Sequence, residues 1–190
     1  MTNRPYHHGD LREALLREGL SIVQEAGAEG LRVRELARRV GVSHAAAYRH
    51  FKDREDLLNA IAVEGFSALT AAVQLAGEQT RTPQARLAGG VQAYMDHAQA
   101  HPARYRLMFS RGTDPLTHPA LAAAAGASFM VLVADASSLG HSDPHRAATM
   151  AWATLHGLAH LSLDGLIAVD AAAELAQEAL SRLLLEPAGP

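Results

Sequence analysis

Residues 31–51 read LRVRELARRVGVSHAAAYRHF, and this stretch predicts two short helices joined by a tight turn. In the first helix, apolar residues recur at helical spacing on one face and arginines occupy the other. Gly41 ends that helix, because glycine readily adopts the left-handed backbone that a sharp turn needs. Ser43 is a good N-cap for the second helix, which runs from His44 to His50 and begins with small residues. The stretch therefore predicts a helix-turn-helix.

Positive charge is concentrated in this part of the chain. From Arg32 to Arg54 there are seven Lys or Arg and two acidic residues, a balance of +5, whereas the whole chain carries −3. A helix-turn-helix sets its second helix in the major groove of DNA and lays its first helix across the backbone. A positive surface there is what phosphate binding requires. The candidate DNA-binding residues are Arg32, Arg34, Ser43, His44, Ala45, Ala46, Tyr48, Arg49, His50, Lys52 and Arg54.

Within this set we expect a division between phosphate contacts and base contacts. Tyr48, His50 and Arg54 are expected to contact mainly phosphates. Residues 43–47 and Arg49 are expected to lie nearest the bases, because small side chains at the start of the second helix let the main chain approach the base edges.

A family resemblance extends over residues 10–62 and is carried by residues 33–61, which read VRELARRVGVSHAAAYRHFKDREDLLNAI. This run is similar to the DNA-binding head of TetR-type transcriptional regulators, which are dimeric repressors. Arg54 stands where that family usually has Lys. Arg32 stands where it often has a capping Thr or Ser, so helix 2 is expected to start less firmly, or Arg32 to contact phosphate itself. The matching residues are Ala37, Gly41, Val42, Ser43, Tyr48, His50, Phe51, Leu57 and Leu58.

The whole chain predicts an all-α fold of about nine helices. Residues 1–52 are assigned to a three-helix DNA-binding head, and residues 53–190 to a helical body for ligand binding and dimerisation. Helix 4, from about Arg54 to Gly77, would be the only covalent bridge between them. Residues 1–9 are interpreted as a loose, solvated arm that includes Arg4, His7 and His8, and Asp10 is expected to cap helix 1.

Composition limits where the protein works. The chain has no Cys and its first residues, MTNRPYHHGD, are polar, so disulfides, thiolate metal sites and a signal peptide are not expected. The uncharged run from Pro115 to Ala134 predicts a buried helix near residues 120–136 rather than a membrane span. These observations favour a cytoplasmic protein without a cofactor and without membrane contact.

The last two helices have more apolar side chains than one helix pair can bury. The resemblance implies that these helices form a four-helix interface in a homodimer. Trp152, His156 and Gly157 resemble the Trp-His-Gly signature of one C-terminal subclass of the family. The candidate interface residues are Leu155, Leu158, Leu161, Leu175, Leu180 and Leu183.

Large apolar and aromatic side chains among helices 4 to 8 suit an apolar or aromatic small-molecule effector. For any one of them, ordinary core packing is an equal alternative. The candidate pocket residues are Phe66, Leu69, Tyr94, Met95, Tyr105, Met108, Phe109, Phe129, Met130, Trp152 and His156. The resemblance thus implies a ligand-responsive repressor that binds a palindromic operator in double-stranded DNA and is released by an effector.

Three other functions remain open at this point. One is a helical DNA-binding architectural protein without an effector. A second is a metal-sensing regulator, because the pairs His97–His101 and His156–His160 each share a helix face and Asp164 continues the latter. The third is an all-α enzyme, which the absence of GxSxG, HExxH and glycine-rich phosphate motifs disfavours.

Overall fold

The computed structural model describes residues 8–78, 80–110, 113 and 115–185. Over these residues the chain forms nine helices and no strand, which confirms the predicted all-α fold. Residues 1–7 of the predicted arm lie outside what is described, whereas His8 and Gly9 already belong to the first helix, which therefore begins before its expected cap at Asp10. The helices are α1 (His8–Gly30), α2 (Val33–Val40), α3 (His44–Tyr48), α4 (Arg54–Glu78), α5 (Pro83–Ala100), α6 (Pro102–Met108), α7 (Pro119–Ser138), α8 (Pro144–Leu163) and α9 (Val169–Leu185).

The chain divides into two compact units. Unit 1 comprises residues 1–65 and 103–122, and unit 2 comprises residues 66–102 and 123–190. The chain therefore passes between the units within α4, between α5 and α6, and within α7. The prediction that α4 is the only covalent bridge concerns the head and the body, not these two units, and stays a prediction. The boundary expected after residue 52 marks the end of the DNA-binding head and stays a prediction.

Unit 1 is organised around one apolar core that α1, α2, α3 and the first part of α4 share. Leu15, Leu36, Phe51 and Leu58 are buried in it, and α6 adds Leu107. Helices as short as α2 and α3 are not stable alone and depend on packing against this core. The side chains that they bury there determine which of their faces point outward.

Residues 103–122 belong to unit 1 because α6 packs closely against α4. A Cβ atom at Gly65 would lie 2.7 Å from the sulfur of Met108, so a larger residue there would require the Met108 side chain to shift. His118, which precedes α7, places Nε2 3.4 Å from Oδ1 of Asp56 at the start of α4. Its Nδ1 accepts a hydrogen bond from the N–H of Leu121.

Unit 2 is formed by α5, α8, α9 and most of α4 and α7, with α8 packed along α9 and α5 packed on both. Asp143 caps α8 by accepting a hydrogen bond from the N–H of Arg146. Asp170 does not cap α9. It lies in the first turn, because the helix begins at Val169, and the carbonyl oxygen of the preceding Ala168 accepts from the N–H of Ala172.

Helix α7 is not buried as a whole, contrary to the expectation for this run. Leu121, Val131 and Ala136 are buried, whereas Gly126 and Met130 are exposed. A run of small apolar residues has no periodic contrast, so its sequence cannot indicate which face packs.

Two described helices, α4 and α7, are long and apolar enough to cross a membrane by length and composition alone. That is weak evidence, because core helices of soluble proteins pass the same test. In α4, Leu57, Leu58 and Ile61 are fully buried in the core of unit 1.

Candidate DNA-binding site

The turn between α2 and α3 has the geometry that its sequence predicts. Gly41 has φ 76° and ψ 30°, the left-handed conformation in which glycine is unstrained. The N–H of Val42 donates to the carbonyl oxygen of Ala37 at 2.9 Å, which closes the end of α2. The side chain of Ser43 accepts from the N–H of Ala46 at 3.2 Å and so caps α3.

Helix α3 presents polar side chains on one face and packs the other into the core. His44, Ala45 and Arg49 are exposed, and Tyr48 exposes 53% of its surface. Ala47 is only 1% exposed and belongs to the apolar core of unit 1. The expectation that Ala47 lies near DNA bases is therefore wrong. The helix ends at Tyr48, two residues before its predicted end.

Two of the arginines on α2 that were counted in the positive balance are paired with acids. Arg39 lies 3.3 Å from Glu18, 2.9 Å from Glu25 and 3.0 Å from Glu35. Arg38 also contacts Glu35, at 2.6 Å. Hydrogen bonds from Arg38 and then Arg39 lower the pKa of Glu35 to about 2. This part of α2 is consequently less positive than its sequence suggests.

Arg54 is held by the main chain of unit 1. Its Nη2 donates to the carbonyl oxygen of Ala28 at 2.7 Å and its Nε to that of Leu31 at 3.2 Å. Glu29 lies 3.5 Å away. The guanidinium therefore holds the end of α1 and the α1–α2 connection, and its assignment as a mainly phosphate-binding group stays a prediction.

The remaining predicted DNA-binding side chains differ in how free they are. Arg32 forms no side-chain cap on α2, as expected, and instead hydrogen-bonds the carbonyl oxygens of Glu29 and Leu31. Arg34 and Arg49 are exposed and form no ion pair with any described residue.

The segment that follows α3 contains the last candidates. The Nζ atom of Lys52 is 3.7 Å from a carboxylate oxygen of Asp53, and its side chain is 85% exposed. His50 and Ala46 are half-buried. The exposed set thus centres on His44, Tyr48 and Arg49, with Arg34 and Lys52 as further cations.

Two models of known protein families match the sequence of this chain. Residues 15–61 match the family model of bacterial regulatory proteins of the tetR family, and residues 87–184 match that of the tetracyclin repressor-like C-terminal domain. The chain belongs to the TetR family. The model match does not test the Trp-His-Gly subclass, which stays a prediction.

Relatives of this TetR-family chain are similar over different lengths. The class C tetracycline repressor of Escherichia coli is 47% identical over 51 residues, which are 27% of this chain and 23% of that protein. The regulator BetI of Pectobacterium carotovorum is 30% identical over 112 residues, 58% of this chain and 57% of that protein. The chain thus spans about a quarter and about half, respectively, of these relatives.

A solved structure resembles nearly the whole chain. A protein of unknown function from Rhodococcus sp. RHA1 has a TM-score of 0.85 and 36% identity, covering 97% of this chain and 100% of that one. The regulator PfmR from Thermus thermophilus has a TM-score of 0.68 at 22% identity, covering 90% and 96%, and shows the shared fold.

The six predicted dimer residues of this TetR-family chain fall into two groups. Leu155 and Leu180 are 1% and 0% exposed, so they pack inside unit 2. Their burial corrects their assignment to a surface between subunits. Four residues retain exposed surface: Leu158, Leu161, Leu175 and Leu183.

Sequence reasoning missed part of the exposed apolar face of α8. Met150 is 46% exposed, and a Cβ atom at Gly157 would have no neighbour within 4 Å. Together with Leu161 these residues recur at helical spacing, which is the pattern that could have revealed them.

The predicted effector residues are also dispersed. Tyr105, Met108 and Phe109 belong to unit 1 and the other eight to unit 2. Met130 and Trp152 expose 48% and 39% of their surface. The remaining residues are buried or half-buried: Phe66, Leu69, Tyr94, Met95, Tyr105, Met108, Phe109, Phe129 and His156. Their role as a pocket stays a prediction.

The histidine pairs lie side by side on their helices. The rings of His97 and His101 are 5.1 Å apart, and those of His156 and His160 are 4.5 Å apart. Burial, and then the neighbouring His160, lowers the pKa of His156. Among the described residues, no group of three or more His, Cys, Asp or Glu is placed to hold a metal ion.

Proposed function

We propose that this TetR-family protein is a ligand-responsive, homodimeric transcriptional repressor that binds a near-palindromic operator through α2 and α3. One observation carries the proposal. The turn at Gly41 and the Ser43 cap fix α3 on the core with His44, Tyr48 and Arg49 outward. A short capped helix with exposed donors and a small leading face suits insertion into the major groove.

Five of the exposed residues are assigned roles in this proposal. Ala45 leaves room for the main chain to approach the base edges, and Arg49 donates to base acceptors in the groove. Tyr48, Lys52 and Arg34 contact phosphates on either side, because they flank α3 or lie on the helix that crosses the backbone. Arg54 contributes indirectly by holding α1 against the start of α2.

Homodimerisation is proposed through the outward faces of α8 and α9. Met150 and Leu161 on α8 and Leu175 on α9 are each more than a third exposed in the single chain. Gly157 lies between the two α8 residues with open space before it, which would let a second helix approach closely. A second copy would remove this apolar surface from water.

The sign of regulation is proposed from the relatives. The class C and class D proteins that match this chain are named tetracycline repressors. Another relative, 30% identical over 112 residues, is named the transcriptional activator FasR. Repression, with release by a small-molecule effector in the cytoplasm, is the version that we propose.

The direct test is a selection of bound fragments from a random DNA pool, repeated with the genomic region around the gene. The proposal expects one enriched sequence with two inverted half-sites whose centres are about 34–36 Å apart or a multiple of that. The double variant Tyr48→Ala, Arg49→Ala serves as the control and should enrich nothing. A folded wild-type protein that enriches no sequence would overturn the proposal.

A further inference from the structure

Unit 2 contains a cavity that none of the predicted effector residues lines. It has a volume of about 360 Å³ and lies where the end of α4, the connection to α5 and the last part of α7 come together. That volume is within the range of small-molecule sites. The polar side chains around it are Thr80, Arg81, Thr82, Arg86, Asp135 and Ser138.

An ion pair between a buried carboxylate and a partly exposed arginine forms one wall of the cavity. The Nε atom of Arg86 is 2.8 Å from Oδ1 of Asp135, whose side chain is only 6% exposed. Burial raises the pKa of Asp135, and the hydrogen bond from Arg86 opposes that rise. Among the described residues, this pair uses one nitrogen of Arg86 and one oxygen of Asp135. The terminal nitrogens of Arg86 and Oδ2 of Asp135 remain available for a ligand.

The hydroxyl groups divide into donors and acceptors. Thr80 donates its proton to the carbonyl oxygen of Gly77 at 2.7 Å, and Ser138 donates to that of Asp135 at 2.8 Å. Both hydroxyl oxygens can therefore only accept from a ligand. Thr82 accepts from the N–H of Ala85 at 3.2 Å, so its own proton is free to donate.

The cavity therefore has both hydrogen-bond donors and acceptors, and their charges differ. Arg81, Arg86 and Thr82 offer donors, and α5 begins beside them with the positive end of its dipole. Asp135 offers an acceptor, joined by the oxygens of Thr80 and Ser138. Two guanidinium groups face one carboxylate, so the lining is positive by one unit and favours a singly negative ligand.

We propose that this cavity binds a small carboxylate with an adjacent hydrogen-bond donor, as in a 2-hydroxy or 2-amino acid. The ligand carboxylate lies between Arg81, Arg86 and Thr82. Its neighbouring hydroxyl or ammonium group donates to Oδ2 of Asp135. Binding itself is independent of DNA, whereas any effect of the ligand on operator affinity rests on the proposed function.

The test is a titration of the full-length protein with glycolate, acetate and glycolamide, followed by NMR of the backbone amides and arginine Nε–H groups. Glycolate should shift the signals of residues 80–86 and of Arg86 Nε–H in a saturable way. Acetate lacks the adjacent donor and should bind several-fold more weakly. Glycolamide lacks the charge and should bind at least about tenfold more weakly, because hydrogen bonds to charged groups are the stronger ones.

Two pairs of variants locate the site. Ala134→Leu fills the cavity and should abolish the shifts, whereas Ala127→Leu, exposed elsewhere on α7, should not. Arg81→Gln should weaken glycolate binding about tenfold, and Arg146→Gln on α8 should leave it unchanged. Equal binding of glycolate and glycolamide, no saturable shift, or unchanged binding in Ala134→Leu would each overturn the inference. The proposed function is tested separately, by operator selection in the absence of glycolate.

Discussion

Unit 1 and unit 2 each hold a set of exposed side chains on a buried apolar framework, but the chemistry of the two sets is opposite. In unit 1 the exposed residues include Arg34, Tyr48 and Arg49, whose polar groups are well hydrated when nothing is bound. In unit 2 they include Leu161 and Leu175, which leave apolar surface in water. The first set fits a hydrated polyanion, and the second fits another apolar surface. In the proposed function, DNA recognition and self-association therefore use surfaces in separate units.

The largest effect should come from reversing the chemistry of the unit 2 surface. The double variant Leu161→Arg, Leu175→Arg should dissociate the dimer and weaken operator binding by about 10²–10⁴-fold, because the two half-sites are no longer engaged together. Sedimentation velocity and gel-shift titration measure the two effects.

The control for the dimer is Leu166→Arg, in the turn between α8 and α9, where the side chain is 72% exposed. It should leave both measurements unchanged. A double variant that stays dimeric would show that the subunit contact lies on another surface.

The next effect concerns stability rather than binding. Arg54→Ala should lower the free energy of unfolding by about 1–2 kcal/mol, because the carbonyl groups of Ala28 and Leu31 lose a charged donor at a partly exposed site. The free energy of unfolding of Arg54→Lys should lie between those of wild type and Arg54→Ala, since one ammonium group cannot reproduce the fork of a guanidinium. Urea unfolding measures the change, with Arg49→Ala as the control. Equal stability of Arg54→Ala and wild type would show that these two hydrogen bonds do not stabilise unit 1.

The contrast between Arg54 and Gly41 also shows what the sequence can reveal. Gly41 and Ser43 act on residues within a few positions, so their turn and cap are readable from local chemistry. Arg54 contacts Ala28, 26 residues earlier, and Arg86 contacts Asp135, 49 residues later. Such partners depend on how helices pack, which local propensity does not specify.

The same reasoning explains the errors in the body. Leu155 and Leu180 are as apolar as Leu161, and only packing decides which side of the helix faces the core. In α7 the residues around Gly126 are uniformly small, so no alternation of polar and apolar residues indicates which face packs. Helix number and type were predictable, because they rest on capping and periodicity, whereas the faces were not.

A smaller effect should separate free from paired cations on α2. Arg34→Ala should flatten the dependence of log affinity on log salt by about one unit, because one phosphate contact is lost. Arg38→Ala is the matched control on the same helix, since Arg38 is paired with Glu35 at 2.6 Å. Equal slopes for the two variants would mean that Arg34 does not contact phosphate.

The smallest effect should be the pH dependence of the acidic network in unit 1. The pKa of Glu35 lies near about 2, below the usual 4.5, so its stabilisation is present above pH 4.5 and is lost as the pH falls toward 2. Glu35→Gln should therefore lose less stability than wild type between about pH 5.5 and 3. The difference should be small and should shrink in salt, because the pair is exposed.

Urea midpoints at the two pH values measure this difference, with Glu55→Gln on the exposed first turn of α4 as the control. A wild-type protein whose midpoint changes no more than that of Glu35→Gln would show that the network does not stabilise unit 1.

The central claim is that α3 reads DNA sequence, and the ratio of operator to scrambled-DNA affinity tests it most directly. The wild-type ratio should be at least about 10³ at physiological salt. Arg49→Ala should lower it by about ten- to a hundredfold while affinity for scrambled DNA changes little, because a base contact and not a general charge is removed. An unchanged ratio in Arg49→Ala, with affinity for both DNAs reduced alike, would contradict the proposed role of α3.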